Sequence, residues 1–498
     1  MRRIVLFIGV FCCLCARAEV KLPQFFADGM VLQQQSEVRL WGWCDKIGHG
    51  TPGRAVVVTT SWDGRHYETK TDKDGRFEVS IKTPQAGGPY TVSVSDRSPL
   101  NGDHATALAN NVQYTMLNLQ CYIGEVWLCS GQSNMEMTMK GYKGQPVEGA
   151  AEELLQCGDP LLRLFYAARQ TTLEPQRDIT GSWKEAGAEA GRNFSATAYF
   201  FGKYLRKTLG VPVGLICTAF GGSACEAWMK ADWLKAFPQV NSQLSTPGSQ
   251  LTVTEADVKK LQQRCPTALY NGQLAPFIGY GIRGAIWYQG EDNVPRHDYY
   301  APLLKTMVEG WRKEWGQGDF PFYYCQIAPF DYAGIGWAEY NSALLREQQM
   351  KAETMIANAR MAVLMDTGVK NVIHPRKKRQ AGRRLALLAL ANTYGVKGLP
   401  DFATYSSVEF KGDTAVVAFD RSKEWVYFEH NGRSQNFEVA GQDRVFHPAE
   451  AWVSRNRVYV HSDEVAKPVA VRYAFKDWVV GDLMHDGLPV SSFRTDNW

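Results

Sequence analysis

Four short polar clusters each follow a segment that reads as a buried strand. Gly131-Gln132-Ser133-Asn134-Met135 comes after the apolar run Glu125–Cys129. A serine just past such a strand presents its hydroxyl at the strand's carboxyl end, where it can serve as a nucleophile. Methionine at position 135 departs from the Gly-x-Ser-x-Gly pattern of a nucleophile elbow. Phe220-Gly221-Gly222-Ser223 follows the run Val213–Ala219. Paired glycines leave backbone N–H groups open to a ligand, as an oxyanion hole requires. Trp287-Tyr288-Gln289-Gly290-Glu291-Asp292-Asn293 closes the run Gly284–Tyr288, and either Asn293 or Gln289 supplies an amide donor for the same purpose. Ile373-His374-Pro375 comes after the run Met361–Met365 and opens a helix at Arg376. Histidine is the usual general base near neutral pH. Taken alone, the first two clusters read more readily as turns, the third equally well as a solvated loop, and the histidine as a surface residue. Four of them at the ends of successive strands point to one site.

The elements that must position these clusters alternate over residues 119–399. Candidate strands are Glu125–Cys129, Leu162–Tyr166, Val213–Ala219, Gly284–Tyr288, Pro321–Ile327 and Met361–Met365. Helical stretches fall near 147–156, 195–208, 297–314, 338–354 and 376–393. Continuous apolar strands separated by helices predict an α/β domain, a parallel sheet with helices on both faces. Ligands in such sheets bind beyond the carboxyl ends of the strands. On either side the helical signal stops. Residues 19–118 carry short alternating or β-branched runs with turn chemistry at Asp72-Lys-Asp-Gly75 and Gly87-Gly-Pro89, which predicts a small β-sandwich. Residues 400–498 return to strands and predict a second β-rich domain.

The chain has 498 residues, 45% of them apolar, which at about 100–200 residues per domain fits roughly three globular domains and excludes a mostly disordered protein. Residues 1–18 have the layout of a secretory signal peptide: basic Met1-Arg2-Arg3, the apolar run Ile4–Cys15, and the cleavage site Ala16-Arg17-Ala18. Cleavage after Ala18 predicts a secreted or periplasmic protein. The apolar run is shorter than the roughly 20 residues a membrane span needs, and no later run approaches that length. The net charge is +4, and three of the basic residues (Arg2, Arg3 and Arg17) lie in the leader. The balance left is too even for a nucleic-acid or anionic-membrane partner. Eight cysteines remain after cleavage, with no Cys-x-x-Cys pair and no His-Glu-x-x-His, which argues against structural zinc. The basic run Arg376-Lys-Lys-Arg379 reads as a solvated helix face.

In their order and full wording the four clusters resemble the SGNH hydrolase superfamily, and within it the sialate O-acetylesterase-like carbohydrate esterases. The matching segments are Gly124-Glu-Val-Trp-Leu-Cys-Ser-Gly-Gln-Ser-Asn-Met-Glu136, Gly221-Gly-Ser-Ala-Cys-Glu-Ala-Trp228, Ile286-Trp-Tyr-Gln-Gly-Glu-Asp-Asn293, and Ile373-His-Pro375 leading to Gly382-Arg-Arg-Leu-Ala386. Met30-Val-Leu-Gln33, Leu40-Trp-Gly-Trp43 and Ala86-Gly-Gly-Pro-Tyr90 resemble the family's N-terminal β-domain, and Pro468-Val-Ala-Val-Arg-Tyr473 its C-terminal end. The resemblance implies a flavodoxin-like parallel sheet flanked by β-sandwich-like regions. It implies Ser133 as nucleophile, His374 as general base, and an oxyanion hole of the Ser133 and Gly222 N–H groups with the Asn293 side chain, Gln289 being the alternative. It implies no metal and no organic cofactor. The substrate it implies is an O-acetylated sugar, foremost O-acetylated sialic acid; acetylxylan or another plant glycan is the alternative. A carbohydrate-binding protein without catalysis is a reading from another class. Many superfamily members carry Asp three residues before the histidine, where this chain has Asn371. The third member is therefore open between Asp366, an approach by Glu291 or Asp292, and a Ser-His dyad held by a backbone carbonyl.

Overall fold

At the centre of the site-bearing sheet the strands have no exposed face. The structure, a computed structural model, describes residues 19–45, 50–96, 116–244, 251–336, 341–422, 425–429 and 432–498. The expected leader, residues 1–18, lies outside them. The strands are β1 (Met30–Gln33), β2 (Met116–Gly131), β3 (Asp159–Tyr166), β4 (Trp183–Ala186), β5 (Val213–Cys217), β6 (Gly284–Tyr288), β7 (Phe322–Cys325) and β8 (Ala359–Ala362). Every residue of β5, β6 and β7 is buried, as expected for strands covered on both faces.

The spatial order is β4-β3-β5-β2-β6-β7-β8. All neighbours run parallel except the edge strand β4, which is antiparallel to β3. β1 pairs in parallel with the earlier part of β2, from Met30 opposite Cys121 to Gln33 opposite Gly124. The registers matter for function. Cys217 of β5 sits opposite Cys129 of β2, and Tyr288 of β6 sits opposite Gly131. The segments leaving β5 and β6 therefore flank the segment leaving β2.

Helices α1 (Ser133–Glu136), α2 (Ala196–Leu209), α3 (Tyr300–Trp315), α4 (Asn341–Met355) and α5 (Lys378–Asn392) connect or cover these strands. Ser195 caps α2 by accepting from the Ala198 N–H, and Gly210 ends it in the left-handed region.

Contact density divides the chain into two units. One comprises residues up to Pro23 with Arg39–Ile81 and Thr91–Leu119; the other comprises Gln24–Val38, Lys82–Tyr90 and Gln120–Trp498. Val20–Lys21, Glu37–Cys44 and Arg76–Lys82 form a three-stranded sheet, and Ala55–Thr60 pairs antiparallel with His66–Lys70 and with Gly87–Ser95. Residues 404–494 belong to the second unit and form a seven-stranded sheet and a three-stranded one. The eight cysteines of the described chain are free and buried.

Candidate active site

Ser133 is the first residue of α1, two positions past the end of β2. The turn between them depends on Gly131. Its φ is +137°, and a Cβ there would stand 2.2 Å from the Tyr288 carbonyl oxygen of β6, so no other residue fits. Gln132 locks the turn: its N–H donates to Tyr288 O at 2.9 Å, and its Oε1 accepts from Gly290 N at 3.0 Å. Ser133 is half-buried, and its hydroxyl has no hydrogen-bond partner among the described residues.

The segment after β5 lies against this turn. Phe220 N donates to Gly131 O at 3.0 Å, and a Cβ on Gly221 would lie 3.4 Å from Ser133 Cβ. Gly222 has φ +70°, which turns the chain in a way glycine adopts readily. The backbone N–H groups of Ser133 and Gly222 have no acceptor among the described residues.

The two amide candidates after β6 differ in what they have left to give. Gln289 is fully buried. Its Nε2 donates to Ser223 O (3.1 Å) and to Asn293 Oδ1 (2.7 Å), and its Oε1 accepts from the Tyr300 hydroxyl (2.8 Å). Both hydrogens are thus spent on bracing the turn after β5. Asn293 Oδ1 accepts from Cys225 N, and Nδ2 donates to Glu226 Oε2 at 2.9 Å. Its second Nδ2 hydrogen has no partner among the described residues.

His374 is half-buried at the approach to α5. Its Nδ1 lies 2.6 Å from Gln145 Oε1. An amide oxygen only accepts, so Nδ1 carries the proton and Nε2 presents its lone pair. The Tyr142 ring packs edge-on against the imidazole, with centroids 5.0 Å apart. The Tyr142 hydroxyl reaches back to the serine segment, 3.1 Å from Glu136 Oε2 and 3.4 Å from Ser133 O. Burial, and after it the nearby Lys378 ammonium, hold the imidazole down at about 4. It is neutral at physiological pH, the state a general base requires.

Asp366 is not brought to His374. Both its oxygens are taken by the buried Arg384 guanidinium, each at 2.6 Å. This bidentate pair is a strong arrangement for a carboxylate, and the Nδ1 of His374 takes Gln145 as its partner instead. Asp292 is likewise held by Arg264 (2.6 Å) and Arg296 (3.3 Å). Glu291 meets Asn134 rather than His374. The Nδ1 side of His374 is met by a neutral amide, Gln145, and not by a carboxylate.

Two residues escaped the sequence reading. Gln145 stands between Gly144 and Pro146 and looks like part of a polar turn, with no local signal of its role. Lys378 sits in the basic run read as solvated, yet it is 1% exposed. Its spacing was the available signal: 378, 381, 382 and 385 fall on one helical face, and Ala381, Gly382 and Leu385 are buried.

A carbohydrate acetylesterase from Xanthomonas citri has a crystal structure that is 34% identical, matching 96% of this chain and 100% of that one with a TM-score of 0.81. Sialate O-acetylesterase of Mus musculus is 27% identical over 424 residues, covering 76% of this chain and 74% of the relative. The Homo sapiens enzyme is 26% identical over 408 residues, covering 76% and 72%. Residues 123–390, which hold all four clusters, match the family described as carbohydrate esterase, sialic acid-specific acetylesterase. The chain is a mixed α/β carboxylic ester hydrolase and belongs to that carbohydrate esterase family.

Proposed function

We propose that this enzyme removes O-acetyl groups from carbohydrate through a Ser133 acyl-enzyme, with O-acetylated sialic acid as substrate. The observation that carries the reading is His374, held in one tautomer by Gln145 and linked through Tyr142 to the backbone of Ser133. His374 Nε2 takes the proton as Ser133 Oγ attacks the acetyl carbonyl. The developing oxyanion would be held by the N–H groups of Ser133 and Gly222 and the uncommitted Asn293 hydrogen. His374 then protonates the departing sugar oxygen. Water, deprotonated by the same imidazole, attacks the acetyl-enzyme and releases acetate. Gln145 does not supply the negative charge that a carboxylate would, so the imidazolium formed in each transition state leans on orientation alone.

The flavodoxin-like SGNH arrangement is the superfamily frame for this reading, and export through residues 1–18 would bring the enzyme to extracellular or periplasmic glycans. The sialate preference rests on the curated mammalian relatives, whose name specifies it. The more similar Xanthomonas citri protein is described only as a carbohydrate acetylesterase. The test is acetate release from O-acetylated sialic acid and from acetylated xylan in parallel, with Ser133→Ala as control. Release from sialic acid that disappears in the variant supports both parts. Release mainly from xylan keeps the chemistry and replaces the substrate. Undiminished release by Ser133→Ala overturns the mechanism.

A further inference from the structure

Behind the site lies a buried polar cluster that the mechanism above does not use. Asn134, the residue after Ser133, is fully buried. Its Oδ1 accepts from Lys378 Nζ. Its Nδ2 donates to Glu291 Oε1 and, at 3.1 Å, to Ile373 O, the carbonyl just before His374. One side-chain amide therefore joins the neighbour of Ser133 to the neighbour of His374, and the segment after β6 to the start of α5. Thr197 Oγ1 of α2 holds the Asn134 carbonyl from the other side at 3.0 Å.

The cluster is costly for the fold. Lys378 is buried with no carboxylate within 4.0 Å among the described ion pairs, and its Nζ stands 5.7 Å from the centre of the Tyr288 ring. Glu291 is 4% exposed, and its Oε2 has no hydrogen-bond partner among the described residues. Replacing a buried charged arrangement by apolar residues is often neutral or stabilising, so stability alone gives little reason to keep one here.

We propose that Lys378, acting through Asn134 with Glu291, is a positioning residue that sets the separation and alignment of Ser133 and His374. The inference rests on the Ser133–His374 reading above. The clamp works by geometry: Ile373 O and the start of α1 are held to the same amide, so neither the nucleophile nor the base can shift without breaking it. It has an electrostatic consequence as well. The groups around His374 are Lys378, Tyr142 with Glu136 behind it, the neutral Gln145, and the exposed Arg376, whose guanidinium lies 4.0 Å from Glu148. Of these, Lys378 is the charge that pushes the imidazole down. Burial brings the ammonium down to about 7, so it remains charged across the acid range in which His374 titrates.

The experiment is steady-state hydrolysis of an aryl acetate by the full-length enzyme from pH 3.5 to 8, a window that takes in both the held-down value of about 4 and the ordinary histidine value of about 6.5. The variants are Lys378→Met, Lys378→Arg, Asn134→Ala and Ser133→Ala, each checked for folding by thermal melting. Lys378→Met is expected to lower kcat by about tenfold to a hundredfold with KM unchanged, the size of a small misplacement of reacting groups. Its acid limb is expected to move up by about one pH unit as the like charge is lost. Lys378→Arg, which keeps the charge and the donors, is expected to restore the acid limb and part of kcat. Asn134→Ala is expected to lower kcat while leaving the limb in place, because Lys378 stays charged. Wild-type kcat with an unmoved limb in folded Lys378→Met overturns the proposal, as does an effect confined to KM. If Lys378→Met does not fold, Asn134→Ala decides by its kcat; failure of both to fold marks the cluster as structural and also overturns the proposal. An active Ser133→Ala is a separate outcome that removes the underlying reading.

Discussion

Gln145 Oε1 and His374 Nδ1 stand 2.6 Å apart, although 229 positions separate them in the chain. A neutral amide thus occupies the place from which a carboxylate would orient the imidazole. It fixes the tautomer but adds no charge to stabilise the imidazolium. Removing it by Gln145→Ala should lower kcat by about tenfold, the worth of one good hydrogen bond in a desolvated site. Gln145→Glu should act differently. An opposite charge favours the imidazolium, so the acid limb of kcat/KM should move to higher pH. Stopped-flow or steady-state pH profiles of the two variants separate orientation from charge.

The wild-type pH profile follows from the same site. His374 is held down at about 4, below the ordinary histidine value, chiefly by burial. The base should therefore stay competent well below neutrality, and the acid limb of kcat/KM should fall near pH 4 to 5. Stability has a matching sign. Between the ordinary value of about 6.5 and the folded value, the unfolded chain binds a proton that the folded chain does not. His374 thus contributes a loss of stability as pH drops through that window, readable by denaturant melts at pH 7 and pH 5.

Asn293 and Gln289 should separate by the size of the loss in kcat. Asn293→Ala removes the side-chain donor proposed for the oxyanion and should lower kcat by about 10²–10³, and Tm should fall too because Cys225 N and Glu226 lose their partner. Gln289→Met removes the brace between Ser223 O, Asn293 Oδ1 and the Tyr300 hydroxyl, and should lower Tm with a smaller loss of kcat. Paired melting curves and initial rates check the distinction. An Asn293→Ala enzyme with wild-type kcat would return the donor role to the backbone alone.

Asp366 should behave as a structural residue. Asp366→Asn leaves the Arg384 guanidinium, 2% exposed, without its carboxylate. Breaking a buried pair costs about 3–5 kcal/mol, so Tm should fall while kcat of the folded enzyme stays near wild type. A loss of kcat without loss of Tm would put Asp366 back beside the base.

By itself the sequence determined most of the central strands and showed polar clusters after them; the run Met361–Met365 is an exception, since the strand there is Ala359–Ala362. Runs such as Val213–Cys217 and Gly284–Tyr288 are apolar throughout, and only a strand covered on both faces accommodates them. Ser133, Gly222, Asn293 and His374 were legible as candidates because each follows a run read as a strand, and a carboxyl strand end is where polar side chains can meet. Pairing was another matter. That β5 and β6 flank β2 comes from registers such as Cys217 with Cys129 and Tyr288 with Gly131, which no local pattern specifies. Only the tertiary structure decided that Asp366 belongs to Arg384, that Gln145 belongs to His374, and that Lys378 turns inward to Asn134. The physical reason is reach. Periodicity and turn chemistry act over a few residues, whereas a hydrogen-bond partner is chosen by whichever loops the closed sheet brings within about 3 Å of a buried polar atom.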